Sequence, residues 1–281
     1  MMLKMISLET IEQFEKHLIF DEKSKATIEK YIRDVKAFLN YANGQALTKE
    51  IVITYKNNLV TKNYAVRSIN SMLSSINSLF DFLGWRELKV KNIKIQQQIF
   101  CPEEKELKQE DFRNLICSAE SKNNERLSMI IQTIGGTGIR VSELSYFTVE
   151  AVKSGSIMIT CKGKTRRIMI VKKLKEKLLM YAKRHKITNG QLFITKGGKP
   201  LDRSNIWREM KSLCKDTGIC EKKVFPHNLR HLFARMFYKI EKDIAKLADV
   251  LGHSSINTTR LYIISTGEEH MKQLEMMRLI I

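Results

Sequence analysis

The chain has 281 residues, 49 of them Lys or Arg against 30 Asp or Glu, which gives a formal net charge of +19. Two domains are expected at that length, and 43% hydrophobic residues with three prolines exclude a disordered chain. Five cysteines (Cys101, Cys117, Cys161, Cys214, Cys220) without a C-x-x-C pair argue against a disulfide framework or a zinc site. No apolar run reaches the ~18 residues of a membrane span. Glu9, Glu12 and Glu15 also speak against a signal peptide, so a soluble cytoplasmic protein is expected.

Residues 1–90 read as a bundle of four helices. Ile28, Tyr31, Ile32, Val35, Phe38, Leu39 and Ala42 recur on one helical face, as do Ile69, Met72, Leu73, Ile76, Leu79, Phe80 and Leu83. Weaker stripes lie near 8–19 and 48–61. The polar stretch from Lys89 to Gln109, with Gln96–Gln98 and Pro102, has no stripe and reads as a linker, set at 91–108. Helices are then expected at 109–119 and 124–135. Strands follow at Ser156–Cys161 and Arg166–Val171, joined by the turn Lys162-Gly163-Lys164-Thr165, with a candidate third strand at Gln191–Thr195. Helices dominate the remainder, near 173–185, 203–216, 226–239, 241–251 and from Thr266. The expected fold is mainly α with a small antiparallel sheet: an N-terminal helical bundle, then a mixed α+β domain over 109–281.

The charge is uneven. Residues 1–100 carry 15 basic and 10 acidic side chains, residues 101–281 carry 34 and 20, and Lys162–Lys186 alone holds eleven Lys or Arg against Glu176. Self-repulsion of this size points to a polyanionic partner, and without a membrane-anchoring pattern the partner is nucleic acid rather than a lipid surface.

Four clusters could carry chemistry. In Gly135-Gly136-Thr137-Gly138-Ile139-Arg140-Val141-Ser142-Glu143 the glycines permit a tight turn before a helix that would place Arg140 and Glu143 on one face. In the hairpin Cys161-Lys162-Gly163-Lys164-Thr165-Arg166-Arg167 a turn projects Lys162, whose ammonium can reach a phosphate. In Pro226-His227-Asn228-Leu229-Arg230-His231 the proline starts a helix, with His227 and Arg230 one turn apart. An imidazole that moves protons near neutral pH and a guanidinium that grips two oxygens suit an anionic reaction centre. In Leu251-Gly252-His253 through Tyr262, an unbroken helix would aim His253 and Tyr262 to opposite sides, nine steps of ~100° apart. Gly252 as a stop and Ser254 or Ser255 as a cap let them converge. Each cluster alone also fits a structural role: a turn, a solvated hairpin, a capped helix start, a core tyrosine.

Taken together and in order, Thr-Gly-Ile-Arg, a basic hairpin, His-x-x-Arg and Gly-His followed by Tyr resemble the tyrosine recombinases, or phage integrases, over most of residues 105–265, above all the compact Xer-type and simple integrase members. The resemblance implies a SAM-like, core-DNA-binding N-terminal domain and a catalytic domain that exchanges DNA strands site-specifically. It implies Tyr262 as nucleophile, forming a 3′-phosphotyrosine, with Arg140, Lys162, His227, Arg230 and His253 as the other catalytic residues and Glu143 and His231 in support; Lys164 is the weaker alternative to Lys162. No cofactor or metal is implied. The implied partners are double-stranded DNA with a specific core site and three further protomers, as a homotetramer or with a paralogue. The stripe Met271, Leu274, Met277 and Leu279 would serve as a helix exchanged between protomers. A location at the nucleoid follows. Integration, excision, inversion, dimer resolution and a mobile-element origin all fit. The competing readings are a type IB topoisomerase and a catalytically silent DNA-binding regulator. Cys161, beside Lys162, reads as a small buried hydrophobe or as an oxidation-sensitive neighbour of the site.

Overall fold

In a computed structural model, residues 4–94, 102–161, 164–195, 197–199, 201–264 and 267–277 are described. The chain forms two compact units, Met1–Gln97 and Gln98–Ile281.

The first unit contains α1 (Leu8–Phe20), α2 (Lys25–Ala42), α3 (Lys49–Thr61) and α4 (Val66–Phe82). Ser7, Ser24 and Thr48 cap the first three with side-chain oxygens that accept backbone N–H groups otherwise left without a helical partner. The expected stripes face inward: Val35, Phe38, Leu73, Ile76, Leu79 and Phe80 are fully buried. Buried apolar side chains of this size each contribute roughly 1.5–3 kcal/mol, so the facing stripes hold the bundle together. Packing continues past residue 90. Asn77 exchanges two hydrogen bonds with the backbone of Val90, and Asn70 does the same with Ile93.

Near the start of the second unit Leu107 is fully buried, and its carbonyl accepts from Arg235 Nη2 at 2.7 Å. The segment expected as linker is thus tied down at both ends. Next come α5 (Gln109–Ser121), α6 (Glu125–Thr137), α7 (Val149–Ser154), β1 (Ser156–Cys161) and β2 (Lys164–Met169). They are followed by α8 (Lys172–Arg184), α9 (Arg203–Ser212), α10 (Cys214–Thr217), α11 (Pro226–Glu241), α12 (Ile244–Leu251), α13 (Ile256–Arg260) and α14 (Gly267–Met276). Helix α6 lies at the centre, against α5, α8 and α11. Strands β1 and β2 pair antiparallel from Ser156↔Met169 to Cys161↔Lys164.

Several expectations need correction. The second strand begins at Lys164 and ends at Met169, because inward alternation of Arg166 and Ile168 sets its register, and only two residues separate the strands. Gln191–Thr195 is no strand: Gln191 makes a single bridge to Thr148 while Leu192 and Phe193 drop into the core. Gly135 and Gly136 lie inside α6, not in a turn, and Phe112 packs where a Cβ on Gly135 would stand. The expected 203–216 helix divides at Leu213, and the break before α12 falls at Lys242, whose φ is 54°. The short helices α7 and α13 carry too few apolar positions to show a stripe.

Candidate active site

Gly138 ends α6 in the left-handed conformation at φ 66°, and a Cβ there would collide with the ring of Phe233. This turn throws Arg140 clear of the helix. Arg140 then caps a 3₁₀ turn, Val141–Tyr146, instead of sharing a helical face with Glu143. Its backbone N–H donates to Glu143 Oε2 at 2.7 Å and its Nη1 to Oε1 at 3.1 Å. Glu143 is 3% exposed, whereas the Arg140 side chain remains 36% exposed and open to a ligand.

Pro226 occupies the first turn of α11, and Asn228 fixes that end by donating to the carbonyls of Lys105 and Lys223 at 2.9 and 2.7 Å. Arg230, one turn further, is fully buried. A buried guanidinium costs several kcal/mol unless its donors are satisfied. Here Nη1 donates to the Gly138 carbonyl at 2.5 Å, and Nη2 donates to the Leu251 carbonyl at 2.6 Å and to His253 Nε2 at 2.9 Å. Its Nε is buried without a hydrogen-bond partner among the described residues. Burial and the neighbouring Arg140 pull its pKa down to about 10, so it stays charged at neutral pH.

Helix α12 stops at Gly252, φ 65°, and α13 starts after Ser255. The break brings His253 and Tyr262 together, their ring centroids 4.7 Å apart. His253 Nδ1 lies 3.0 Å from Thr259 Oγ1. Because Arg230 can only donate, His253 Nε2 accepts and the ring proton sits on Nδ1. Tyr262 is 7% exposed, stacks on His231 at 4.2 Å and 15°, and lies under the Arg230 guanidinium, 5.7 Å from its ring centre. Its hydroxyl is 3.0 Å from His227 Nε2.

The three histidines share an electrostatic setting. Burial, then the surrounding arginines, hold His227 below its usual pKa of 6.5. Burial and His227 push His231 down to about 3, and burial with Arg230 pushes His253 to about 4. All three are neutral at pH 7, and a neutral His227 can take a proton from the phenol it faces. Beside His227 opens a cleft of about 420 Å³ lined by Arg203, Ser204, Trp207, Phe225 and Pro226.

Seven of the eight residues singled out by sequence, Arg140, Glu143, His227, Arg230, His231, His253 and Tyr262, are thus connected in one cluster. Lys162 lies outside the described residues, as do the side chains of Cys161 and Lys164. Sequence reasoning gave no role to Arg166, whose Nη2 donates to Glu143 Oε2 at 2.7 Å and whose Nη1 donates to the Leu251 carbonyl. The signal was present in the alternation that puts Arg166 on the same strand face as Ile168.

Two described families match in tandem: "Phage integrase, N-terminal SAM-like domain" over residues 11–87 and "Phage integrase family" over 105–269. Tyrosine recombinase XerA of Pyrococcus furiosus is 30% identical over 279 residues, 96% of this chain and 94% of its own. A crystal structure of XerA recombinase superposes with a TM-score of 0.55 at 25% identity, covering 97% of this chain and 99% of that one. A lambda integrase tetramer bound to a Holliday junction gives 0.72 at 17% identity, covering 90% and 76%. The chain belongs to the phage integrase family, the tyrosine recombinases, and is a site-specific DNA recombinase rather than a type IB topoisomerase or a silent regulator. No described helix is long and apolar enough to cross a membrane.

Proposed function

We propose that Tyr262 is the nucleophile of this recombinase and that Arg140, Lys162, His227, Arg230 and His253 complete its catalytic set. The observation that carries this reading is the Tyr262 hydroxyl 3.0 Å from a neutral His227, under the Arg230 guanidinium.

Tyr262 Oη attacks the scissile phosphorus and its proton passes to His227 Nε2. The bond from phosphorus to the 5′-oxygen breaks, and Lys162 protonates that oxygen. The products are a 3′-phosphotyrosine and a free 5′-hydroxyl. The 5′-hydroxyl of another strand then attacks phosphorus and releases the tyrosine, so the bond is conserved without an energy-rich cofactor. Charge gathers on the nonbridging oxygens in each step, where Arg140 and Arg230 stabilise it. His253 donates a hydrogen bond to an oxygen once its ring gives up Arg230 and carries its proton on Nε2, and Glu143 and His231 hold Arg140 and Tyr262.

The partner is double-stranded DNA carrying a core site, in the cytoplasm at the nucleoid. Four protomers act on two sites, with α14 exchanged between neighbours. Met271 and Leu274 on it and Met277 just beyond it are exposed and support that role, Leu279 of the expected stripe lies outside the described residues, and the lambda integrase tetramer supports the stoichiometry.

A nicked duplex bearing a candidate site, without divalent metal, tests the assignment on a denaturing gel. A covalent protein–DNA band is expected from the wild type and none from Tyr262→Phe. Equal bands from both would remove Tyr262 as nucleophile.

A further inference from the structure

We propose that Arg166 is a positioning residue for strand cleavage, holding the two phosphate-binding arginines in register; the inference rests on the site assigned above. Arg166 stands on β2 opposite Ile159, its side chain 13% exposed. One prong of its guanidinium ion-pairs with Glu143 Oε2 at 2.7 Å. The same carboxylate accepts from the backbone N–H and the Nη1 of Arg140. The other prong donates to the Leu251 carbonyl, which also accepts from Arg230 Nη2 at 2.6 Å. A single planar group therefore joins the carboxylate that sets Arg140 to the carbonyl that sets Arg230.

The chain yields to this contact. A Cβ on Gly252 would strike Arg166 at Nη1, Cδ and Cζ, so the glycine before His253 serves close approach as well as its positive φ. Arg140, Arg230 and Leu251 lie on three separate elements, and Arg166 spans them from a fourth. Both amino groups point at protein acceptors, one shared with Arg140 and the other with Arg230, so Arg166 acts on the site through these neighbours. The rigid fork matters: a lysine ammonium at the end of a flexible stem cannot hold two acceptors in one plane.

Cleavage of the nicked duplex in a single turnover, at saturating protein, tests this with wild type, Arg166→Lys, Arg166→Met and Tyr262→Phe. Misplaced arginines should slow cleavage about tenfold in Arg166→Lys and about a hundredfold in Arg166→Met, with half-saturation by DNA changed less than about threefold. In a Glu143→Gln background the Arg166→Lys loss should shrink to about threefold or less, since the group it acts through is already altered. That cycle and the lysine variant decide the matter even if Arg166→Met does not fold. Unchanged rates in Arg166→Lys, a loss confined to half-saturation, or losses that multiply with Glu143→Gln overturn the positioning role while leaving the site intact. An adduct from Tyr262→Phe overturns the site and the positioning role together.

Discussion

The two units bury different things. In the first, the interior is apolar, and the buried polar side chains among the described residues are Asp34 and Ser75, joined to each other and to Lys30. In the second, an apolar core around α6 borders a polar one in which Arg230, Glu143 and Asn228 are as inaccessible as leucines. Apolar burial is non-directional and tolerates approximate fit, whereas a buried charge requires each donor to meet an acceptor. The first unit is thus built to be stable, and the second to hold charges in fixed positions.

That contrast can be broken experimentally, since one of the two tryptophans lies in each unit: Trp85 packs on the bundle core and Trp207 is 47% exposed on α9. The largest effect is expected from Phe38→Ala, which should cost the bundle about 3–5 kcal/mol in a Trp207→Phe background, read by Trp85 fluorescence in urea. A cost under about 1 kcal/mol would mean that the core collapses around the gap and is not closely packed.

Acid should act on the other unit. His227, His231 and His253 are held below 6.5, the latter two to about 3 and about 4, so between those values and 6.5 the unfolded chain binds protons that the folded chain does not. Stability of the second unit therefore falls as pH drops from 6.5 towards 4 and is level above neutrality. Melting followed by Trp207 in a Trp85→Phe background checks this, and a midpoint unchanged between pH 7 and 4.5 would contradict it. The smallest effect sharpens the comparison by making the units equal. Ser24→Ala in α2 and Asp243→Ala in α12, where Asp243 accepts from Ala245 and Lys246, should each cost about 1 kcal/mol, because caps work alike in both.

The same contrast governs what the sequence could tell. Period-3.6 stripes located α1 to α4 because packing on one face is a local pattern. In the second unit Thr-Gly-Ile-Arg, His-x-x-Arg and Gly-His…Tyr were legible as types, and their convergence was legible only at Gly252. The rest depended on partners remote in sequence. Arg166 looked like one more basic residue of a hairpin because Leu251, its acceptor, is 85 positions away. Gln191–Thr195 looked like a strand because nothing local shows that Leu192 and Phe193 turn into the core. Gly135 looked like a turn because its real reason, the ring of Phe112, lies on another helix.

Tyr262 is seated between His231 and His227 by contacts within the fold. Ordering a side chain ordinarily lowers the entropy of the reacting complex and slows it. Here folding has ordered the ring in advance, so a phenol acting as the proposed nucleophile would add little of that cost. On the proposed assignment of Tyr262, the timing of strand exchange then passes to the other reactant: cleavage would wait on how the phosphate is delivered and not on arrival of the tyrosine.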